Sequence, residues 1–305
     1  GVSSVALSGD GTRLAVGVHQ TTTPQEPGVH VFDYDAGTNE WGYKGNHIDA
    51  VPLLDWHEAN NWWGIEVGIS ADGAVIAMSN RGQPGRVRTF EWGGTDWVRR
   101  GGDDALGAAY EIVGPAVTGN FGEGGPILSA DGSRIAIGAH GGNGAAGGAQ
   151  AFEWSGTGWE QLGSHIVGDL NDLPSRVGGR VALSGDGMTM AITRGYIEGF
   201  VDVYVWNAGA SPNGDWYQTQ ILDVGGPGGV ALSADGSVLI ASDSYNDDAP
   251  DYTNAGYVRT FARYDHASPP ALPSPPAPPP SPPLPPPASP PAPSAPPPPP
   301  PSPPP

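Results

Sequence analysis

The sequence predicts an all-β protein: a five-bladed β-propeller of four-stranded antiparallel blades, followed by a polyproline II tail. Three observations support this prediction. A Ser-x-Asp-Gly motif between two apolar runs occurs five times, each repeat unit contains four short runs of strand character, and the end of the chain is almost entirely proline, serine and alanine. Repeat units of the length that separates one copy of this motif from the next are typical of propellers and solenoids. The motif is centred on Asp10, Asp72, Asp131, Asp186 and Asp235.

The repeated motif has the composition of a β-hairpin turn. Its first copy is Val5-Ala-Leu-Ser-Gly-Asp-Gly-Thr-Arg-Leu-Ala-Val-Gly17. Asp caps a turn through its side chain, and Gly adopts positive φ without steric cost. Each copy therefore predicts the first two strands of a blade and the turn between them.

The third and fourth strands of each blade follow from aromatic-rich runs. Val29–Tyr34 and Val87–Trp92 represent the third run, and Trp41 and Trp97 begin the fourth. The first runs carry small residues, as crowding near a propeller axis requires, whereas Phe and Trp are large enough to fill the wider space between neighbouring blades. Four antiparallel strands in each of five units predict a propeller rather than a solenoid.

The fifth unit ends without a Trp-led fourth run. Three alternatives remain: a last blade of three strands, a strand formed by residues upstream of Gly1, or an open edge that another molecule completes. An unpaired edge is a template for strand addition. That edge strand is Val258, Arg259, Thr260 and Phe261.

Composition divides the chain into residues 1–266, the predicted propeller, and residues 267–305, the Pro/Ser-rich tail. Proline lacks a backbone donor and fixes φ, so the composition of the tail predicts a polyproline II rod.

All charges lie in the first part, and the formal net charge is −19. This charge argues against nucleic acid and anionic membranes as partners. No apolar run is long enough for a membrane span, and the absence of cysteine excludes thiol chemistry and disulfides.

The repeat resembles the FG-GAP/WD-like propeller repeats of secreted algal, protist and bacterial proteins, and the tail resembles hydroxyproline-rich glycoproteins of algal and plant cell walls. The second resemblance implies prolyl hydroxylation, O-linked sugar chains and an extracellular location at a cell surface, wall or appendage. The tail lacks the Tyr and Lys of cross-linking extensins. The implied O-glycosylation sites are Pro270, Pro276, Pro279, Pro283, Pro286, Pro291, Pro298, Pro304, Ser281 and Ser302.

No cofactor is expected, and calcium is considered only at acidic loops. The repeated turn aspartates stand singly among small residues, whereas Ca²⁺ takes six to eight oxygen ligands, so turn capping is the better interpretation. A loop near the end of the propeller is more acidic, and a second acidic stretch is Asp169–Asp172. A solvated acidic loop is the default interpretation of the first of these stretches, whose calcium candidates are Asp243, Asp247, Asp248 and Asp251.

Catalytic candidates are few. His47 and His165 occupy the same place in their repeats and are therefore interpreted as structural. Propeller glycoside hydrolases use paired carboxylates at the mouth of the central channel. Four glutamates lie outside the repeat pattern, although their spacing does not single out a pair: Glu66, Glu111, Glu123 and Glu198.

An aromatic cluster in the longest connection between blades is a candidate contact surface. Trp56, Trp62 and Trp63 are not repeat positions, so they suit stacking on glycan or contact with a protein, or else burial within the insertion.

These observations lead to the expectation of a non-enzymatic extracellular structural glycoprotein that assembles head to tail into a filament or coat as a homo-oligomer. The alternatives are a glycan-binding adhesion module on a Pro-rich stalk and a propeller glycoside hydrolase.

Overall fold

The computed structural model describes twelve segments of the chain, and all structural statements below refer to them. Internal contacts divide the chain into Gly1–His266 and Ala267–Pro305. The second unit lies outside the described residues, so the polyproline II tail and the domain boundary stay predictions. The described segments are 1–18, 27–49, 65–80, 85–101, 111–115, 120–140, 146–168, 177–195, 199–210, 213–226, 228–243 and 256–262.

All regular structure in these segments is β-strand, arranged in five antiparallel sheets that follow one another along the chain. Sheet 1 contains β1 (Val2–Leu7), β2 (Arg13–Val18), β3 (Gly28–Asp35), β4 (Glu40–Tyr43) and β5 (Ile48–Asp49). Sheet 2 contains β6 (Ile65–Ile69), β7 (Val75–Asn80), β8 (Arg86–Trp92), β9 (Trp97–Arg99) and β10 (Ile112–Val113). Sheet 3 contains β11 (Asn120–Leu128), β12 (Arg134–His140), β13 (Gly148–Trp154), β14 (Trp159–Gln161) and β15 (Ile166–Val167).

Sheets 4 and 5 are simpler. Sheet 4 contains β16 (Val181–Leu183), β17 (Thr189–Gly195), β18 (Gly199–Asn207) and β19 (Asp215–Gly225). Sheet 5 contains β20 (Val230–Leu232), β21 (Val238–Asp243) and β22 (Tyr257–Ala262). Each sheet is a meander in which consecutive strands pair, as the sequence predicts. The arrangement is therefore all-β and propeller-like.

The outer position of sheets 1 to 3 holds two short strands instead of the single predicted one. In sheet 1, β4 and β5 both pair with β3, and Gly45, at φ 73°, lies between them. Gly163, at φ 75°, separates β14 from β15 in sheet 3. A positive φ interrupts the extended backbone. In sheet 4, β19 runs from Asp215 to Gly225 as one strand with shifts in its pairing register.

The Ser-x-Asp-Gly motif forms the predicted hairpin turn in all five sheets. In the first, the Ser8 hydroxyl donates to Asp10 over 2.6 Å and accepts from the amide of Arg13 over 2.9 Å. Asp10 also accepts from the amide of Thr12 over 3.0 Å. The glycine that follows each Asp has φ between 65° and 71°. The Asp residues are therefore turn caps, and their carboxylates are occupied by local hydrogen bonds.

Successive turns are also joined to one another. The amide of Gly9 donates to the carbonyl of Ala71 over 2.8 Å, and the amide of Ala130 donates to the carbonyl of Gly185 over 2.8 Å. A weaker bond of 3.3 Å links Asp72 to Ala130. These bonds set the spacing and orientation of sheets 1 to 4 directly through the backbone.

The hydrophobic core lies between neighbouring sheets rather than within any one of them. One face of sheet 1 packs on sheet 2 through Ala15, Val29 and Val31, which meet Ile76 and Met78. Equivalent clusters join sheets 2 and 3, sheets 3 and 4, and sheets 4 and 5. Every internal sheet is thus covered on both faces.

Small residues are required where the inner strands approach. A Cβ atom added to Gly68 would lie 2.1 Å from the carbonyl oxygen of Pro126, and one added to Gly17 would lie 2.3 Å from that of Ile65. Neither position can hold a side chain without moving a neighbouring backbone.

The tryptophans of the outer strands attach each sheet to the one before it. The Trp97 indole donates to the carbonyl of Lys44 over 2.9 Å, while Asp96 accepts from the amide of Asn46. Sheet 4 repeats this contact, because the Trp216 indole donates to the carbonyl of Leu162 over 2.8 Å. The aromatic runs therefore fill the outer space between sheets, as expected.

Sheet 5 has three strands in the described part of the chain. Its last strand, β22, pairs with β21 on one side. Whether Val258 to Phe261 pair with another molecule stays a prediction. A search of the described residues found no helix with the length and hydropathy needed to cross a membrane.

We predict that Asp131→Ala destabilises the protein by about 1 to 2 kcal/mol, because three hydrogen-bond donors of the turn lose their acceptor. These are the Ser129 hydroxyl and the amide and hydroxyl of Ser133. Urea unfolding measures the effect. Asp131→Asn, which keeps an acceptor oxygen, is the control and should lose less; equal losses would contradict the turn geometry.

We predict that stability falls as the pH is lowered from about 4 to 2. Hydrogen bonds from Ser8 and Ser233 lower the pKa of Asp10 and Asp235 to about 2. A carboxylate with a lowered pKa stabilises the fold above its unfolded pKa, near 3.9, and this stabilisation is lost as the pH falls through the folded pKa. The thermal midpoint measured between pH 4.5 and 2 should drop less in the Asp10→Asn, Asp235→Asn variant. An identical drop in the two proteins would refute the assignment.

Candidate functional site

The four glutamates that lie outside the repeat differ in their surroundings. Glu198 is outside the described residues. Glu111 is buried in a cluster of arginines, whereas Glu66 and Glu123 lie on the inner strands of sheets 2 and 3. Only the last two remain in a position to act on a ligand.

Glu111 is a structural residue. It pairs with Arg86, and its second oxygen accepts from Arg88 over 2.6 Å. Burial alone would raise the pKa of Glu111, but the two guanidinium groups hold it below its usual value. Burial also lowers the pKa of Arg88 to about 10, which the charge of Glu111 partly offsets. Both oxygens of Glu111 are thus engaged by arginines, the buried Arg88 and the partly exposed Arg86, which gives this carboxylate a structural role.

A β-bulge distinguishes the inner strand of sheet 3. Phe121 pairs with Ala139 and Pro126 pairs with Ile137, so four residues of β11 lie opposite the single residue Gly138 of β12. Gly122 and Gly125 within this bulge have φ of 86° and 82°. Bulges reorient side chains and occur frequently next to active sites. Here the residue carried between the glycines is Glu123.

Glu123 forms a polar cluster with two residues at the ends of the paired strands. Its Oε2 atom lies 3.4 Å from Nδ1 of His140 and accepts a hydrogen bond of 3.1 Å from the side-chain amide of Asn120. Asn120 and His140 are direct cross-strand partners, which brings their side chains to the same place. The side chains of Glu123 and His140 are 20% and 26% exposed, so both reach solvent while remaining held.

The backbone that carries Glu123 is fixed by sheet 2. The buried Ser79 hydroxyl donates to the carbonyl of Gly122 over 2.9 Å. A Cβ atom at Gly125 would lie 3.8 Å from Cβ of Glu66, and Glu66 itself pairs with Ser79 across β6 and β7. Glu66 therefore lies beside the bulge, on the neighbouring inner strand.

The backbone of sheet 4 borders the opposite side of the cluster. A Cβ atom at Gly179 would lie 3.3 Å from Cδ2 of His140, and one at Gly124 would lie 3.0 Å from the carbonyl oxygen of Gly179. The exposed Arg180 follows Gly179, and its amide donates to the Thr193 hydroxyl over 2.9 Å. The Glu123 carboxylate, the His140 imidazole and the Asn120 side-chain amide thus gather between the inner strands of sheets 2 and 4, and the Cβ atom of Glu66 lies beside the bulge that carries Glu123.

This arrangement has the groups needed for general acid–base chemistry. When Nδ1 of His140 carries the proton and faces Glu123, the other ring nitrogen of the neutral imidazole is the basic one. A carboxylate in this position orients the ring and stabilises its protonated form. Glu66 supplies a second carboxyl group from the next strand.

Sequence analysis missed Asn120 and His140. Neither belongs to a recognisable motif; His140 meets Glu123 through strand pairing, whereas Asn120 lies three residues before Glu123 on the same strand. One signal was present: Gly122-Glu-Gly-Gly125 places an acid among glycines in an inner strand, which is typical of a bulge.

The calcium candidates are not assembled into a site in the described part of the chain. Asp243 ends β21 and is buried beside Gly225 and Gly226. Asp247, Asp248 and Asp251 lie outside the described residues, and so does the stretch 169–172. Within the described segments no group of three or more acidic, histidine or cysteine residues is placed to hold a metal ion.

The two repeated histidines pack as repeat elements. His47 stacks on His30 with ring centroids 4.5 Å apart. Burial lowers the pKa of His165. Both lie against the glycine that starts the third strand, Gly28 in sheet 1 and Gly148 in sheet 3.

The other predicted contacts remain untested. Trp56, Trp62 and Trp63 lie outside the described residues, as do all the O-glycosylation candidates of the tail, from Pro270 to Pro304.

The chain matches no family model, and no curated protein matches it. Among solved structures it is similar to TolB of Acinetobacter baumannii, with 11% identity, a TM-score of 0.48, and 86% of this chain covering 52% of TolB. It is also similar to the periplasmic gluconolactonase of Pseudomonas aeruginosa, with 15% identity, a TM-score of 0.47, and 78% of this chain covering 64% of that protein. A third similar structure is a Bacteroides uniformis protein assigned as a 6-phosphogluconolactonase, with 15% identity and a TM-score of 0.48. The match covers 86% of this chain and 81% of that protein.

The chain thus spans about half the length of TolB and less than two thirds of the gluconolactonase. Similarities at this level do not assign an activity. Two of the similar proteins carry the names of enzymes, a gluconolactonase and a protein assigned as a 6-phosphogluconolactonase. The prediction of a non-enzymatic, filament-forming structural glycoprotein is wrong on this comparison, and it is not carried further.

We predict that Glu111→Gln destabilises the protein by about 3 kcal/mol, because Arg88 remains buried without its counter-charge. Chemical denaturation measures the loss. The control is Glu153→Gln, which removes a more exposed partner of Arg134 and should cost less than about 1 kcal/mol. Equal losses in the two variants would show that burial does not govern these pairs.

Proposed function

We propose that the described unit is a hydrolase acting on a neutral carbohydrate or carbohydrate-derived substrate at the cluster of Glu66, Asn120, Glu123 and His140. The observation that carries the proposal is the glycine bulge, which departs from the repeat and presents Glu123 to His140 and Asn120. Repeat proteins keep their repeat for stability, so a local departure that orients a titratable pair favours a functional role.

The choice of substrate rests on charge and on the paired carboxylates. Hydrolysis of glycosidic bonds uses two carboxyl groups, one to protonate the leaving oxygen and one to activate water or attack the sugar. A net charge of −19 disfavours anionic substrates. Neutral sugars and lactones carry no charge that this protein would repel.

In the proposed reaction, the basic nitrogen of His140 accepts a proton from water, and the resulting hydroxide oxygen bonds to the acetal or acyl carbon of the substrate. Glu123 stabilises the protonated imidazole through Nδ1, and Asn120 keeps the carboxylate in place. The bond from that carbon to the leaving oxygen breaks, and Glu66 in its protonated form transfers its proton to that oxygen. Return of the proton from His140 to Glu66 through water restores the starting state.

Several sequence-based predictions remain proposals beside this one. The five sheets are proposed to be blades of a propeller with an FG-GAP-like repeat, and residues 267–305 to be a glycosylated polyproline II stalk in an extracellular protein. Their support is the repeat and tail composition. A contact of Trp56, Trp62 and Trp63 with glycan would fit the same substrate class.

We predict that the full-length protein hydrolyses at least one member of a panel of neutral aryl glycosides and aldonolactones, and that Glu123→Gln and His140→Asn each lower kcat/KM at least 100-fold. Glu66→Gln should lower kcat mainly for substrates with poor leaving groups. The control is Glu160→Gln, a change on an exposed outer strand, which should leave the rate unchanged.

Two results would overturn the proposal. One is hydrolysis that persists in both the Glu123→Gln and His140→Asn variants, with folding confirmed by circular dichroism. The other is wild-type protein that binds panel sugars in calorimetry without turning them over, which would support the adhesion-module alternative.

A further inference from the structure

Hydrolysis at an acyl carbon needs a group that the cluster of Glu66, Asn120, Glu123 and His140 does not supply. When hydroxide adds to a carbonyl carbon, the electron pair of the C=O double bond moves onto the oxygen and leaves an oxyanion. Enzymes stabilise this charge with hydrogen-bond donors or cations that are in place before the reaction. The side-chain amide of Asn120 already donates to Glu123, and the other three residues act on water and on the leaving group.

Arg180 lies against the glycine bulge that carries Glu123. A Cβ atom at Gly124 would lie 3.3 Å from Cα of Arg180 and 3.0 Å from the carbonyl oxygen of Gly179. The guanidinium group of Arg180 folds back onto this same carbonyl, because its Nη1 atom donates to the oxygen of Gly179 over 3.0 Å. The cationic group is therefore held next to the atom that borders the bulge.

The backbone of Arg180 is fixed by its own sheet. Its amide donates to the Thr193 hydroxyl over 2.9 Å, and its carbonyl accepts from the Thr193 amide over 3.0 Å. Arg180 and Glu66 occupy equivalent places, since each stands four residues before the serine of its Ser-x-Asp-Gly turn. The two residues therefore border the bulge of sheet 3 from sheets 4 and 2.

The charge of Arg180 is not neutralised by the described part of the chain. The sequence has 32 acidic residues and 13 lysines and arginines, so carboxylates outnumber the cations that could pair with them. Arg180 is exposed, yet no carboxylate of the described segments forms an ion pair with it. The described arginines that do have such a partner are Arg13, Arg86, Arg88, Arg100, Arg134 and Arg194.

We propose that Arg180 is a further catalytic residue of this site, which donates hydrogen bonds to the oxyanion and restricts the reaction to acyl carbons, in esters or lactones of neutral carbohydrate-derived compounds. This inference rests on the proposed hydrolase function. Hydrolysis of an acetal builds positive charge on the sugar, which a neighbouring guanidinium disfavours. Hydrolysis of an ester builds negative charge, which the same group stabilises.

The charges of the site favour this step. Water gives its proton to His140, its oxygen bonds to the acyl carbon, and the carbonyl oxygen becomes the oxyanion. At that stage protonated His140 offsets Glu123 and Glu66 is still protonated, so the charge of Arg180 faces the oxyanion. The C=O double bond then re-forms, the bond to the leaving oxygen breaks, and Glu66 transfers its proton to that oxygen. Arg180 gives up no proton, because guanidinium groups stay protonated in proteins.

The test compares the full chain with Arg180→Gln, Arg180→Lys and a matched control, Arg259→Gln. Arg259 is also exposed, but it packs on the ring of Tyr257 in sheet 5, whereas the bulge lies in sheet 3. The substrates are an aldonolactone and an acetylated neutral sugar for the acyl class, and aryl glycosides for the acetal class.

We expect the wild-type protein to hydrolyse the lactone or the ester and to leave the glycosides intact. Arg180→Gln should lower kcat about 100-fold with little change in KM, because the oxyanion exists only after the substrate has bound. Arg180→Lys should recover part of the loss, since it keeps the charge but not the planar arrangement of donors. Arg259→Gln should match the wild type.

The outcomes separate this inference from the function on which it rests. Turnover of the glycosides, alone or with the esters, would reject the restriction by Arg180 and leave a hydrolase at the site. An unchanged kcat in Arg180→Gln, with or without a rise in KM, would also reject it, as would an equal loss in Arg259→Gln. A wild-type protein that hydrolyses none of the substrates would reject the hydrolase itself. Circular dichroism establishes that each variant is folded.

Discussion

The turn between the first two strands of each sheet is the constraint on which the rest of the structure depends. Within it, a Ser hydroxyl and an Asp carboxylate satisfy the backbone amides of a tight hairpin, and the glycine after Asp takes the positive φ that closes it. Because strand register in a hairpin follows from its turn, this local chemistry decides which side chains face each neighbouring sheet. Backbone bonds between successive turns then place sheets 1 to 4 against one another.

Burial follows from this register. Alternate residues of each strand face the preceding and the following sheet, so sheet 2 contributes larger residues such as Ile76 to its contact with sheet 1 and small ones such as Ala77 to its contact with sheet 3. Glycines such as Gly68 permit the inner strands to approach until backbone carbonyls fill the space of a side chain.

The candidate site arises where this regular pattern is interrupted. Four residues of β11 opposite one residue of β12 carry Glu123 away from the ladder, while Ser79 of sheet 2 fixes the displaced backbone. Glu111 shows the opposite use of a glutamate outside the repeat, since its two oxygens pair with the buried Arg88 and the partly exposed Arg86. Two carboxylates that are equally irregular in sequence thus have different roles because of what surrounds them.

The sequence by itself determined the hairpin turns, the order of the main antiparallel strands in each unit and the structural role of the turn aspartates. The turns depend on residues within about five positions of each other, whose hydrogen bonds do not need the rest of the fold. Only the tertiary structure decided that Glu111 pairs with Arg86 and Arg88 and that His140 meets Glu123. Those outcomes depend on strand pairing and on packing between elements, where the partners lie far apart along the chain, so no local pattern records them.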